Sequence, residues 1–166
     1  MAINPDFLGK TFPRGEPYEI SRVKLAEFAD AIGDPNPLYR DRSAAVDAGY
    51  PDVIAPPTFP IVIGMAASAR ALADPGLNLN YAMVVHGEQR FTYSRPLHAG
   101  EVVTAEVTIS DIKQVGRNSL MRTTTKIATV DGEHVCTAEA TLVERPRGGS
   151  SEARAPGDTE RPGGAA

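Results

Sequence analysis

The sequence has a single cysteine, Cys136, so neither a disulfide framework nor a thiolate metal cluster is available to it. Its three histidines, His86, His98 and His134, are widely spaced, and none belongs to an H-x-x-x-H ligand pair, which argues against a zinc site. No apolar run approaches the roughly 20 residues that a spanning helix needs. The N-terminus lacks the basic flank and apolar stretch of a signal peptide. A formal net charge of -4 disfavours a general nucleic-acid binder, whose footprint is basic. There is no Gly-rich phosphate loop, so no nucleotide or redox cofactor is implied. These absences describe a reduced, cytoplasmic protein with no metal, cofactor, nucleic acid or membrane partner.

What is present fits one domain and a tail. The chain has 166 residues, 42% of them hydrophobic. Residues 147–166 contain no Val, Leu, Ile, Phe or Tyr, and cannot bury enough surface to offset their ordering entropy. They are expected to be a disordered tail behind a folded domain of residues 1–146.

The spacing of Leu25, Phe28, Ala29 and Ile32 predicts a helix over 22–32, capped by Ser21 and ended by Gly33. The turn-rich Asp34-Pro35-Asn36-Pro37 follows, then a short helix over 42–48. Residues 58–72 predict a central helix. Pro60 suits its first turn, and Phe59, Ile61, Val62, Ile63, Met65, Ala66, Ala67, Ala69, Ala71 and Leu72 run on almost without polar interruption. A helix apolar nearly all round is expected to be buried nearly all round, with Gly64 letting a sheet come close.

The remainder reads as β. Residues 83–94 supply one strand. Val103, Ala105, Val107 and Ile109 alternate with polar residues, as do Cys136, Ala138, Ala140 and Leu142. Residues 119–130 form another strand, with turns at Val115-Gly116-Arg117-Asn118 and Asp131-Gly132. This gives an antiparallel meander of about four strands after the helices. The α+β pattern fits a hot-dog fold, in which the sheet wraps around the long central helix. It fits equally an ordinary α+β sandwich with the helix on one face.

The segment Gly33-Asp34-Pro35-Asn36-Pro37-Leu38-Tyr39 resembles the signature of the MaoC-like (R)-specific hydratase/dehydratase family, G-D-x-N-P-[LIV]-H. Every signature position matches except the last, where Tyr39 replaces histidine. Val53-Ile54-Ala55-Pro56-Pro57-Thr58-Phe59 is similar to that family's entry to the central helix. Arg95-Pro96-Leu97-His98-Ala99-Gly100-Glu101 resembles its R-P-[VL]-x-x-G-[DE] turn. The resemblance covers residues 5–145 and is nearest to the MaoC-like dehydratase N-terminal group, which includes HadA-type subunits.

The resemblance implies a hot-dog fold and handling of an acyl thioester, carried on ACP or CoA. It implies dehydration of a (3R)-hydroxyacyl thioester or hydration of the enoyl form. In the family the signature Asp and His move protons around the hydroxyl, and N–H groups at the central helix start hold the thioester carbonyl. Carried over, Asp34 takes the acid position, Asn36 the signature asparagine and Tyr39 the histidine. Thr58, Phe59 and Ile61 fall at the helix start, although Pro60 removes one donor. His86, before Gly87 at a strand start, is a further substrate-facing candidate, with a surface strand position as the alternative.

Tyr39 cannot equal histidine as a base. An unperturbed phenol has a pKa near 10, so making it equivalent at pH 7 costs about 4 kcal/mol. HadA-type subunits also lack the catalytic pair. The resemblance therefore implies a hydro-lyase subunit that shapes the acyl tunnel beside a catalytic MaoC-like partner, or a homodimer. Two alternatives stand beside this: a non-catalytic acyl-thioester-binding protein, and a hot-dog thioesterase that would use Asp52 to activate water.

Overall fold

The computed structural model describes residues 3–146, so the expected tail at 147–166 lies outside the described residues. Three helices precede most of a single antiparallel sheet. The first helix, α1 (Arg22–Ala31), begins where the Ser21 side chain accepts the Lys24 N–H at 3.2 Å. It ends as Gly33 turns the chain at φ +70°, a conformation that glycine adopts without strain. Leu25 and Ala29, four residues apart, are its buried side chains. Ile32, expected on that face, is 47% exposed because it caps the helix just before the chain turns.

Helix α2 (Arg42–Asp47) starts at Asp41, whose carboxylate accepts the Ser43 and Ala44 N–H groups at 2.8 and 3.4 Å. Asp52 ties α1 and α2 to the strand-like entry of the third helix. It accepts two bonds from Arg22 at 2.9 and 2.6 Å, one from Arg42 at 3.3 Å, and the Val53 N–H at 2.7 Å. These partners hold the Asp52 carboxyl well below the usual carboxylate range, the Arg22 hydrogen bonds contributing most.

Helix α3 (Pro60–Leu72) is the central rod. Its buried side is Pro60, Ile63, Gly64 and Ala71. The other side departs from the all-round burial expected from composition: Met65 is 59% exposed, and Ala66 and Ala69 are exposed too. The reason is geometric, since the sheet meets α3 from one direction only. Gly64 is not required for close approach either. A Cβ there would lie 3.9 Å from the Ala138 Cβ, an ordinary contact.

The sheet comprises β1 (Thr11–Phe12), β2 (Tyr18–Glu19), β3 (Val84–Tyr93), β4 (Val102–Val115), β5 (Asn118–Thr129) and β6 (His134–Glu144). The order is β1-β4-β5-β6-β3, with β2 also on β4. Val103, Val107 and Ile109 of β4 and Met121 and Ile127 of β5 are buried, as period two requires. The two short N-terminal strands carry no period of their own and were not legible in the sequence. The expected meander holds for β4, β5 and β6. However, β3 pairs with β6 rather than with β4, so it forms one edge of the sheet.

The β3–β4 connection therefore crosses the end of the sheet, and it is clamped there. Arg95 pairs with Glu101 at 2.6 Å and with Glu133 at 2.8 Å. Ala99 N–H donates to the Val53 carbonyl at 2.9 Å and Gly100 N–H to that of Ile20 at 2.8 Å. His98 is half-buried in this clamp, and its backbone N–H donates to the Glu101 carboxylate at 2.8 Å. Along β3 the register with β6 shifts between His86 and Glu88. Gly87 fills that bulge, where a Cβ would press on Val143 at 3.2 Å and the Thr141 carbonyl at 3.3 Å. No helix among the described residues is long and apolar enough to cross a membrane.

Two outcomes are expected. Gly64→Ala raises stability by about 0.5–1 kcal/mol through helix propensity, read from urea unfolding midpoints; a clear loss would mean that α3 lies closer to β6 than described. Asp52, with its pKa depressed on folding, contributes stability that is present above the usual carboxylate range and is lost as pH falls below it. Asp52→Asn should therefore be less stable at neutral pH and show a shallower loss below about pH 4. Parallel acid-unfolding profiles for variant and parent would contradict that.

Candidate functional site

The loop after α1 is built by its own side chains. Asp34 Oδ1 accepts the Asn36 N–H at 3.1 Å, and Asn36 Oδ1 accepts the Leu38 N–H at 3.0 Å. Arg40 closes the loop by donating to the Asp34 carbonyl at 2.9 and 3.2 Å and to the Asp30 carboxylate at 2.6 Å. Asp34 and Asn36 are half-buried, and each commits one oxygen to the turn.

Tyr39 is 6% exposed and packs in a small cluster with Ala29 and Ile54, flanked by Leu38 and Tyr50. Burial pushes its phenol pKa above the ordinary value, and the Asp34 charge adds to this. The loop docks onto the entry to α3 through Ile54 N–H to the Leu38 carbonyl at 3.0 Å. On the sheet side, the Tyr93 hydroxyl donates to the Pro57 carbonyl at 2.6 Å. Burial raises the Tyr93 phenol pKa, and the neighbouring Cys136 raises it further. The Cys136 thiol is itself pushed up to about 11 by burial.

At the start of α3 the backbone donors are largely consumed. Phe59 N–H bonds the Pro56 carbonyl at 2.9 Å, Ile61 N–H that of Thr58 at 3.1 Å, and Val62 N–H that of Phe59 at 3.0 Å. Pro60 has none to offer. Among the described residues, no backbone carbonyl accepts the N–H of the exposed Thr58 in this turn. Phe59 is fully buried. Its ring meets Phe28 edge-on at 5.3 Å and Tyr18 at 6.5 Å, so its side chain is core.

A cavity of about 510 Å³ lies between α3 and the sheet. Ile61, Met65 and Leu72 form the helix wall, and Ala138, Ala140 and Leu142 of β6 part of the opposite wall. It is mostly apolar, with Thr123, Thr125, Gln89, Ser68 and His86 as its polar members. Of the sequence-derived candidates, Ile61 and His86 line this cavity. Asp34, Asn36 and Tyr39 come together in the loop, Thr58 sits at the helix entrance, and none of the four lines the cavity.

Thr123 and Thr125 were missed by sequence reasoning. The signal was available: they share the period-two face of β5 with Met121 and Ile127, and both are 2% exposed. Gln89 was hidden by the bulge at Gly87, which shifts the phase of β3. Among the described residues, no group of three or more His, Cys, Asp or Glu side chains is placed to hold a metal ion.

The arrangement can hold a long apolar group beside α3. It supplies no neutral-pH base at Tyr39, whose pKa moves the wrong way for that role. Asp52 is occupied by two arginines and a backbone N–H, so it is not placed to activate water.

Comparison with known proteins agrees with this geometry. The family model described as "FAS1-like, dehydratase domain region" matches residues 6–138. A UPF0336 protein of Thermobifida fusca is 57% identical over 145 residues, covering 87% of this chain and 95% of the relative. Among solved structures, a MaoC-like dehydratase superposes with a TM-score of 0.78 at 30% identity over 84% of this chain, which spans 42% of that protein's length. The C-terminally truncated HadBC (3R-hydroxyacyl-ACP dehydratase) complex from Mycobacterium tuberculosis matches with a TM-score of 0.75 at 25% identity, over 83% of this chain and 97% of that one. The chain belongs to the FAS1-like dehydratase-region family and is a MaoC-like protein with an α+β hot-dog fold.

Proposed function

We propose that this protein is a subunit of a (3R)-hydroxyacyl-thioester dehydratase, or (R)-specific enoyl hydratase, acting in the cytoplasm. In this reading it forms one wall of the acyl tunnel beside a MaoC-like chain that carries the catalytic Asp and His. The observation that carries the proposal is the pairing of an intact apolar cavity with a defective proton-transfer site. The cavity of about 510 Å³ runs along α3, while the family's histidine position holds the buried Tyr39, whose proton is held more tightly than usual.

The partner proposal has its own support. Met65 and Ala69 of α3 are uncovered, and β3 is an edge strand of the sheet. A second hot-dog chain alongside would cover both and remove the bare edge. The resemblance to the HadBC complex supports a second, different chain over a second copy. In this reading Asp34 orders the site or polarises a water, and Asn36 sets the loop. The Thr58 N–H faces the thioester carbonyl, Ile61 and His86 border the acyl group, and Phe59 fixes the helix start from below. The substrate is an acyl-ACP or acyl-CoA. The thioesterase alternative lacks its water-activating carboxylate, because Asp52 is engaged.

The test is hydration of a trans-2-enoyl thioester. The chain alone is expected to give no more than trace turnover, and addition of a catalytic MaoC-like partner to restore it. Robust turnover by the chain alone, abolished by Asp34→Ala, would overturn the subunit assignment. In the active complex Tyr39→Phe should keep kcat within about threefold. A loss of about 100-fold or more is the size expected for a general acid or base, and would restore that role to the phenol.

A further inference from the structure

Two cavities share a wall at the C-terminal end of α3. The first is the apolar one already described, and the second, of about 660 Å³, is polar. Leu72 and Ala73 wall both. The same boundary is repeated on two other elements. Tyr81 and Leu142 face the first cavity, while their near neighbours Asn80 and Glu144 face the second. The change from apolar to polar lining therefore falls at one level of the fold.

The charges of the second cavity are not balanced in their availability. Asp74 is already paired with Lys10 at 2.9 Å. Glu144 is 7% exposed; one oxygen accepts the Asn80 N–H at 3.0 Å, and the other is enclosed by protein. The cations are different. Arg117, in the β4–β5 turn, and Arg145, just after β6, are exposed and enter no ion pair among the described residues. The accessible charge of this cavity is thus positive.

An acyl chain entering at Ile61 would travel about 16 Å along α3 before reaching Leu72, at about 1.5 Å per residue. Its far end would then lie against Leu72 and Ala73, the residues that also wall the polar cavity. We infer that the site accepts long acyl thioesters whose distal end carries a carboxylate, held by Arg117 and Arg145. Guanidinium groups bind carboxylates through charge-assisted, often paired hydrogen bonds. The inference rests on the acyl-thioester reading of the apolar cavity.

Isothermal titration of the full-length chain in complex with its catalytic MaoC-like partner tests it with three probes: hexadecanoyl-CoA, its counterpart with a distal carboxylate, and CoA itself. The carboxylate-ended thioester should bind five- to tenfold more tightly than the plain one. Arg117→Ala with Arg145→Ala should remove that preference, leave hexadecanoyl-CoA binding unchanged and, because both side chains are exposed, leave thermal unfolding unchanged. Equal affinities for the two thioesters, or a preference that survives the double variant, would overturn the inference while leaving the acyl-thioester reading intact. Binding by neither thioester would overturn both. If the double variant instead weakens CoA alone, the two arginines hold the carrier's phosphates and the distal-carboxylate assignment falls.

Discussion

The burial of one face of α3 against the inner side of the curled sheet is the contact on which the other elements depend. Phe59 opens that face and is enclosed by Tyr18 and Phe28, which come from the N-terminal segment and α1. Ile63 continues it in the same core as Val103, Ala105 and Ile127 of β4 and β5. A large apolar side chain taken fully out of water contributes about 1.5–3 kcal/mol. The same residues therefore stabilise the domain and set the direction in which the helix entrance points. The part of α3 that bears Met65 and Ala69 remains uncovered, and both residues line the apolar cavity between the helix and the sheet.

Paired charges hold the connections around this core. Asp52 joins α1, α2 and the approach to α3, while Arg95 joins the β3–β4 crossover to the β5–β6 turn through Glu101 and Glu133. Both are saturated with partners, which suits them to structure and not to chemistry. The loop at Asp34 combines the two. Its carboxylate organises a turn, and the buried Tyr39 beside it keeps its proton. The fold thus keeps an apolar cavity beside α3, while the loop supplies no neutral-pH base at Tyr39.

Much of this was legible in the sequence because local rules decided it. Ser21 and Gly33 bound α1, and Gly49 follows α2, as their cap chemistry requires. Alternation in β4 named its buried residues correctly. What was not legible depends on distant parts of the chain. Whether an apolar helix face is covered is decided by where the sheet curls, so Met65 and Ala69 read as core and are exposed. Phe59 and Ile61 are two residues apart and equally apolar, yet one is core and the other lines the cavity. The pairing of β3 with β6 could not be read from strand order. Within the site, the Asp34 segment stood out through its motif, whereas Thr123 and Thr125 were marked only by sharing the β5 face of Met121 and Ile127.

The bulge at Gly87 decides what sort of compartment lies beside α3. On a regular strand, Val84 and His86 would be followed on the inner face by Glu88. The extra residue moves Gln89 there instead and turns Glu88 outward, where its carboxylate lies 3.9 Å from Arg122. Restoring the regular pleat would place a carboxylate among Met65, Ala140 and Leu142, and the lining there would cease to be apolar. A single residue without a side chain thus keeps a negative charge out of the oily compartment by altering strand phase alone.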